Sequence, residues 1–173
     1  TLAREKGYKL AEFNLRRINT PVEFLTSLQV KPSQHQYKLG VMYKQGKGVS
    51  SDLTSAQRYE IAVKWLQKAA DQGHAAAQYK LGVMFDKGRG VKQNYTQAIK
   101  WFQNAANQGH IDAQYDLGEA YFLGAVYNKG KDHKEEAFRW YFKAAKQEHA
   151  AAQYMLGVMY KQGKGVSRDL TQE

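Results

Sequence analysis

The sequence predicts an all-α solenoid of stacked helix–turn–helix repeats, and two recurring patterns carry that prediction. The first is Gln-Tyr-x-Leu-Gly, which recurs with its Leu-Gly at Leu39-Gly40, Leu81-Gly82, Leu117-Gly118 and Leu156-Gly157, at spacings of 42, 36 and 39 residues. An aromatic residue follows each leucine by four positions (Tyr43, Phe85, Tyr121, Tyr160), and then a turn rich in glycine: "GKGV", "GRGV", the irregular "GAVYNKG" and "GKGV" again. The second pattern lies downstream of the first three turns: "AVKWLQKAA" (62–70), "AIKWFQNAA" (98–106) and "AFRWYFKAA" (137–145). Its Ala, Trp, apolar, Ala and Ala positions fall at i, i+3, i+4, i+7 and i+8, one face of an α-helix. A pair of such helices is too small to bury that face alone, so stacked neighbours must supply the core.

Composition sets the outer bounds. A chain of 173 residues with 43% hydrophobic and 13% aromatic content can build a core and is not of disordered type. No apolar run approaches a membrane span, and Thr1-Leu2-Ala3-Arg4-Glu5-Lys6 has neither a secretory hydrophobic region nor a starting Met, which reads as a mature form or a fragment. The absence of cysteine leaves the redox compartment open. A net charge of +10 favours anionic partners without saying anything about fold.

Taken in order, residues 1–33 stand outside the repeat. Leu2, Leu10, Phe13 and Ile18 suggest one amphipathic helix, and Thr20-Pro21-Val22-Glu23 is an N-cap followed by Pro at the first helical position. A short helix should run from there to Lys31-Pro32-Ser33, so this segment reads as an N-terminal cap on the array, with a partner-binding arm as the alternative. Repeats follow at about 34–74, 75–110 and 111–149, with a half repeat at 150–173. In the first, Gly48 to Trp65 is 17 residues where Gly90 to Trp101 is 11; the six extra residues, around Ser55–Glu60, should lengthen the second helix at its N-terminus. Asn94 with Gln97 and Asp169 with Gln172 have the spacing of a capping box, and Asp52 and Asp132 are further N-cap candidates. Gly73 and Gly109 should close the second helices, followed by His74 and His110. The third repeat carries three extra residues in and after its turn, including Tyr127, Asn128 and Lys129. In the fourth, Leu156, Met159 and Tyr160 have no second helix before Glu173, which suggests a truncated chain or an end-to-end or swapped homo-oligomer.

The combined pattern A-x-x-Q-Y-x-L-G-x-x-Y, G-x-G-V, A-x-x-W-x-x-K-A-A-x-x-G resembles the Sel-1-like repeat, a relative of the tetratricopeptide repeat, over roughly residues 34–173. That resemblance implies a right-handed superhelical solenoid acting as a non-catalytic scaffold or adaptor, with a partner peptide or protein on its concave face. It leans towards a bacterial periplasmic or secreted setting.

Catalytic and cofactor readings find little support in the residues. The glycines are no phosphate loop: Gly40 and Gly46 enclose five residues rather than four, and Gly48 stands where Ser or Thr must hold magnesium. The histidines His74, His110 and His149 occupy equivalent positions in successive repeats; a row spaced by about 10 Å is not a ligand set for bonds of about 2 Å, so they read as polar helix-junction residues. G-x-S-x-G, S-x-x-K and K-T-G are all absent. Glu135-Glu136 reads as a solvated first turn. No catalytic residue, metal or cofactor is predicted, and a cell-wall-related hydrolase is the remote alternative.

Two surfaces are candidates for binding. In each first helix, the positions two before, two after and five after the leucine form one stripe, which the resemblance places on the concave face. It holds Tyr37, Val41 and Lys44; Tyr79, Val83 and Asp86; Tyr115, Glu119 and Phe122; and Tyr154, Val158 and Lys161. The tyrosines have two readings, partner contact or packing between adjacent helices. Glu119 and Phe122 break the pattern of the other repeats, which is where specificity would reside. The second surface is the turn edge, with Lys47, Lys87, Arg89, Lys92, Lys129, Lys131, Lys164 and Arg168. It would attract an anionic polymer such as cell-wall material or nucleic acid, although exposed loops are commonly charged for solubility alone.

Overall fold

A computed structural model describes residues 32–124 and 133–165. Among them are seven α-helices and no strand: α1 Pro32–Gln45, α2 Ser55–Asp71, α3 Ala75–Lys87, α4 Tyr95–Asn107, α5 Ile111–Phe122, α6 Lys134–Ala145 and α7 Ala150–Gln162. The architecture is an all-α helical-repeat solenoid, in which α1, α3, α5 and α7 are the first helices of their repeats and α2, α4 and α6 the second. The chain divides into two compact units between Gln93 and Asn94. The segment 1–31, the inserted Tyr127, Asn128 and Lys129, and the predicted caps at Asp132 and Asp169 lie outside the described residues.

In the first unit α1 packs on α2, and α2 on α3. The contact explains the recurrent Leu-Gly. A Cβ added at Gly40 would sit 2.7 Å from Leu66 Cγ and 3.2 Å from the Leu66 backbone nitrogen, so only glycine lets α2 approach this closely. Leu66, Ala62 and Ala69 of α2 and Ala77 and Leu81 of α3 are fully buried, whereas Trp65 is only half-buried and carries Lys68 over its ring at 4.7 Å. In the second unit α4 packs on α5, α5 on α6 and α6 on α7. Here a Cβ at Gly118 would lie 2.7 Å from the Tyr141 ring, the counterpart of Leu66.

The helix ends follow from local chemistry. The first repeat's long second helix is present: α2 has 17 residues against 13 in α4. Its cap is Thr54 rather than Asp52. Three residues after Thr54 stands Gln57, whose amide returns the bond at 2.9 Å while its N–H donates to the Thr54 hydroxyl at 3.2 Å. Three residues after Asp52 stands Ser55, too short to do so, and Asp52 instead accepts from the Ser50 hydroxyl. Asn94 caps α4 as its spacing predicts. For α6 the N-cap position falls on His133, which makes no side-chain cap bond. Pro32 opens α1 instead of closing an earlier helix, because its fixed φ suits the first turn and its missing N–H has no partner to lose there.

The second helices end alike. His74 N–H bonds the Ala69 carbonyl and Gly73 N–H the Ala70 carbonyl, with Gly73 at φ +80; His110, Ala105, Gly109 and Ala106 repeat the arrangement. After α6 the same bonds run from His149 to Ala144 and from Glu148 to Ala145, but the left-handed position is now occupied by Glu148 at φ 64. This is an L-residue where the other two repeats use glycine, and it stores strain.

The recurring Gln of the Gln-Tyr pair is a bridge between helices. Gln78 and Gln114 are buried and donate to the Ala70 and Ala106 carbonyls at the end of the preceding helix. The Gln114 carbonyl accepts in turn from Gln147 at 2.8 Å, as Gln36 does from Gln72 at 2.6 Å. Each amide thereby fixes the angle of a helix pair without leaving a buried polar atom unpaired.

Candidate partner-binding surface

The sequence puts His before each repeat junction, and the structure turns these residues into N-caps. Nδ1 of His74, His110 and His149 accepts the backbone N–H of Ala77, Ala113 and Ala152 at 3.3, 3.4 and 3.2 Å. With Nδ1 as acceptor, Nε2 of His74 carries the proton and donates to Gln34 Oε1 at 2.8 Å. Among the described residues no group of three or more His, Cys, Asp or Glu side chains is placed to hold a metal ion.

These caps decide what the stripe tyrosines do. In the first unit the Tyr37 ring stacks on His74 with centroids 4.6 Å apart. In the second, Tyr115 stacks on His149 at 4.7 Å. Both rings are half-buried, and burial raises both hydroxyls above the ordinary tyrosine pKa. Packing against the next repeat's cap therefore accounts for one face of each ring. Tyr154 has no such neighbour among the described residues and is 72% exposed. Val41, Lys44, Tyr79, Val83 and Asp86 remain half-exposed along α1 and α3, with Asp86 paired to Lys87 at 2.9 Å. Val158 is half-exposed and Lys161 exposed on α7.

The break in the third repeat has a structural cause. Where the first unit has Leu66, the second has Tyr141, fully buried, and its hydroxyl donates to Glu119 at 2.5 Å. Glu119 replaces the valine of the other repeats because a buried phenol requires an acceptor. Burial, then the hydrogen bond and charge of Glu119, lift the Tyr141 hydroxyl far above its ordinary pKa. Phe122 fills the remaining side of the Tyr141 ring, centroids 6.4 Å apart.

One feature escaped the sequence reading although its signal was present. Helix α5 carries Asp112, Asp116 and Glu119 and no basic residue, in a chain of net charge +10. At the position of Asp116 the other first helices have Lys38, Lys80 and Met155, and at that of Asp112 they have Gln34, Ala76 and Ala151. Asp112 lies 3.7 Å from His149 Nε2 at an open cleft of about 530 Å³, whose rim also includes Gln147 and Glu148.

On the turn edge, Lys47, Lys87, Arg89, Lys92 and Lys164 are exposed, while Lys129, Lys131 and Arg168 lie outside the described residues. Lys87 is ion-paired with Asp86, and Arg89 sits over the Tyr59 ring at 5.9 Å. No helix among the described residues is long and apolar enough to cross a membrane.

Comparison with known proteins places this architecture. The Sel1 repeat model matches residues 35–74, 75–110, 111–149 and 150–172. A Sel1 repeat protein from Oxalobacter formigenes is similar at 31% identity and a TM-score of 0.73, over 96% of this chain and 63% of that one. The protein c5321, a protective antigen of uropathogenic Escherichia coli with an SLR fold, is similar at 34% identity and a TM-score of 0.69, over 87% of this chain and 30% of that one. The chain thus spans less than two thirds of either relative. No curated protein matches. Sel1 repeat proteins are generally protein-interaction scaffolds and typically non-catalytic. Four in-phase repeats, their Leu-Gly contacts and these likenesses agree: the chain belongs to the Sel1 repeat family.

Proposed function

We propose that the chain is a non-catalytic scaffold that holds a partner peptide or protein against the first-helix stripes of its repeats. The observation that carries this reading is the state of those stripes. Tyr37, Val41, Lys44, Tyr79, Val83 and Asp86 in the first unit, and Tyr115, Glu119 and Phe122 in the second, are all half-exposed, although the leucines and alanines beside them are fully buried. Half-exposed aromatic and aliphatic groups held on rigid helices lose little entropy on binding, which suits them to anchor a partner. The acidic α5 gives the third repeat a charge unlike its neighbours, and so a means of choosing among partners.

Affinity capture from a native extract tests the reading. Wild type is compared with Lys44→Glu/Asp86→Lys on the stripe and with Lys47→Glu/Lys92→Glu on the turn edge. A protein retained by wild type and the edge variant but lost from the stripe variant supports the scaffold. The exposed turn lysines favour a second reading, an anionic polymer bound along the turn edge. That binding would be lost from the edge variant and would weaken steeply with salt.

A further inference from the structure

We infer that the open side of α7 is a docking site for an amphipathic helix of the α2 type, one that presents a small–x₃–leucine–x₂–small–small face and is supplied by a partner protein. The sequence supplies the premise. Leu39–Ser50 and Leu156–Ser167 are the same twelve letters, so α1 and α7 offer nearly the same surface. On α1 the structure shows what that surface accepts: α2, with Leu66 seated on Gly40 and with Ala62, Ala69 and Ala70 buried around it.

On α7 the same side is open. A Cβ at Gly157 would meet nothing within 4 Å, against 2.7 Å at Gly40. Tyr43 is 6% exposed and its counterpart Tyr160 is 47% exposed, held on one side only, by the edge of the Phe138 ring at 5.4 Å. The rest of α7 is well seated, since Ala152 and Met159 are fully buried against α6. A rigid groove floored by glycine thus faces solvent beside exposed tyrosines, and a covered copy of it in the same molecule displays the occupant's chemistry.

A second copy of this chain is the weaker occupant. Its α2 is already seated on its own α1 across a short connection, from Gly46 to Thr54, and an intramolecular contact of equal quality outcompetes a bimolecular one. The partner must therefore bring a free helix. This inference is independent of the stripe reading, because it uses the Gly157 side of one helix and survives if no partner binds the first unit.

The test titrates the full chain with a synthetic peptide of residues 55–71, the α2 sequence, followed by amide chemical shifts. Gly157→Leu serves as the blocking variant; it places a side chain in open space and leaves the fold intact, which circular dichroism verifies. We expect saturable binding with shifts on α7, about tenfold or more weaker for Gly157→Leu, and weakened again when the peptide carries Leu66→Asp. No saturable binding, or equal binding to Gly157→Leu, overturns the proposal. Concentration-dependent dimerisation of the chain alone that Gly157→Leu abolishes also overturns it, by making a second copy the occupant.

Discussion

The shared twelve-residue segment permits an unusual experiment, the same substitution in the same letters with opposite expected signs. Replacing glycine by alanine within a helix gains about 1 kcal/mol of intrinsic propensity. At Gly157 nothing opposes that gain, because the new Cβ meets no atom within 4 Å. Gly157→Ala should therefore stabilise the chain by up to about 1 kcal/mol. At Gly40 the same Cβ falls 2.7 Å from Leu66 Cγ, 2.9 Å from its Cδ2 and 3.2 Å from its backbone nitrogen. The leucine side chain can rotate away, but the backbone cannot, so α1 and α2 must separate. Overpacking of this kind costs about 1–3 kcal/mol. Set against the propensity gain, Gly40→Ala should lower stability by up to about 2 kcal/mol. Urea unfolding followed by circular dichroism reads both changes as midpoint shifts, with the slope monitored because repeat arrays can lose cooperativity. Equal shifts for the two variants, or a stabilised Gly40→Ala, would refute the claim that Leu-Gly recurs to let the second helix approach.

Other consequences follow from particular contacts. Glu148→Gly relieves the left-handed strain and should raise stability by about 0.5–1 kcal/mol after the extra unfolded-state freedom of glycine; Glu148→Ala should not, and urea midpoints of the two variants separate backbone strain from loss of the carboxylate. Glu119→Val leaves the buried Tyr141 hydroxyl without its acceptor and should cost about 1–3 kcal/mol, whereas Glu119→Val/Tyr141→Phe should recover most of it; additive losses in a double-mutant cycle would count against the pairing. Burial lowers the His74 pKa below its ordinary value, and only its neutral ring can accept the Ala77 N–H through Nδ1. Its stabilising share is therefore full above the unfolded-state pKa of about 6.5 and is lost as pH falls through and below that value. His74→Asn, which caps without titrating, should flatten the stability–pH profile between pH 8 and 5; an unchanged profile would exclude the cap as its source.

Much of this fold was legible in the sequence because its determinants are local and recur. The Leu-Gly spacing, the Ala–Trp helices and the glycine at the left-handed C-terminal position each act within a few residues, and α2 is lengthened where the inserted residues placed it. The cap at Thr54 was legible too, but reading it required asking which candidate had Gln three positions on. Other features depend on pairs far apart in the chain. Glu119 looked like a specificity mark until Tyr141, 22 residues away, was found to need its oxygen. The stripe tyrosines could not be divided between packing and display until His74 and His149 were found stacked on Tyr37 and Tyr115. The acidic α5 was readable by simple alignment of the four first helices, since its carboxylates replace Lys38 and Lys80 in register or stand where neutral side chains recur.

The scaffold reading is tested most directly by asking which face touches the partner. A photo-reactive amino acid placed at Val83, on the stripe of α3, is compared with one at Lys64, on the exposed side of α2. After irradiation in native extract, the account predicts a crosslinked protein from position 83 and none from position 64. Crosslinks from position 64 alone would contradict it.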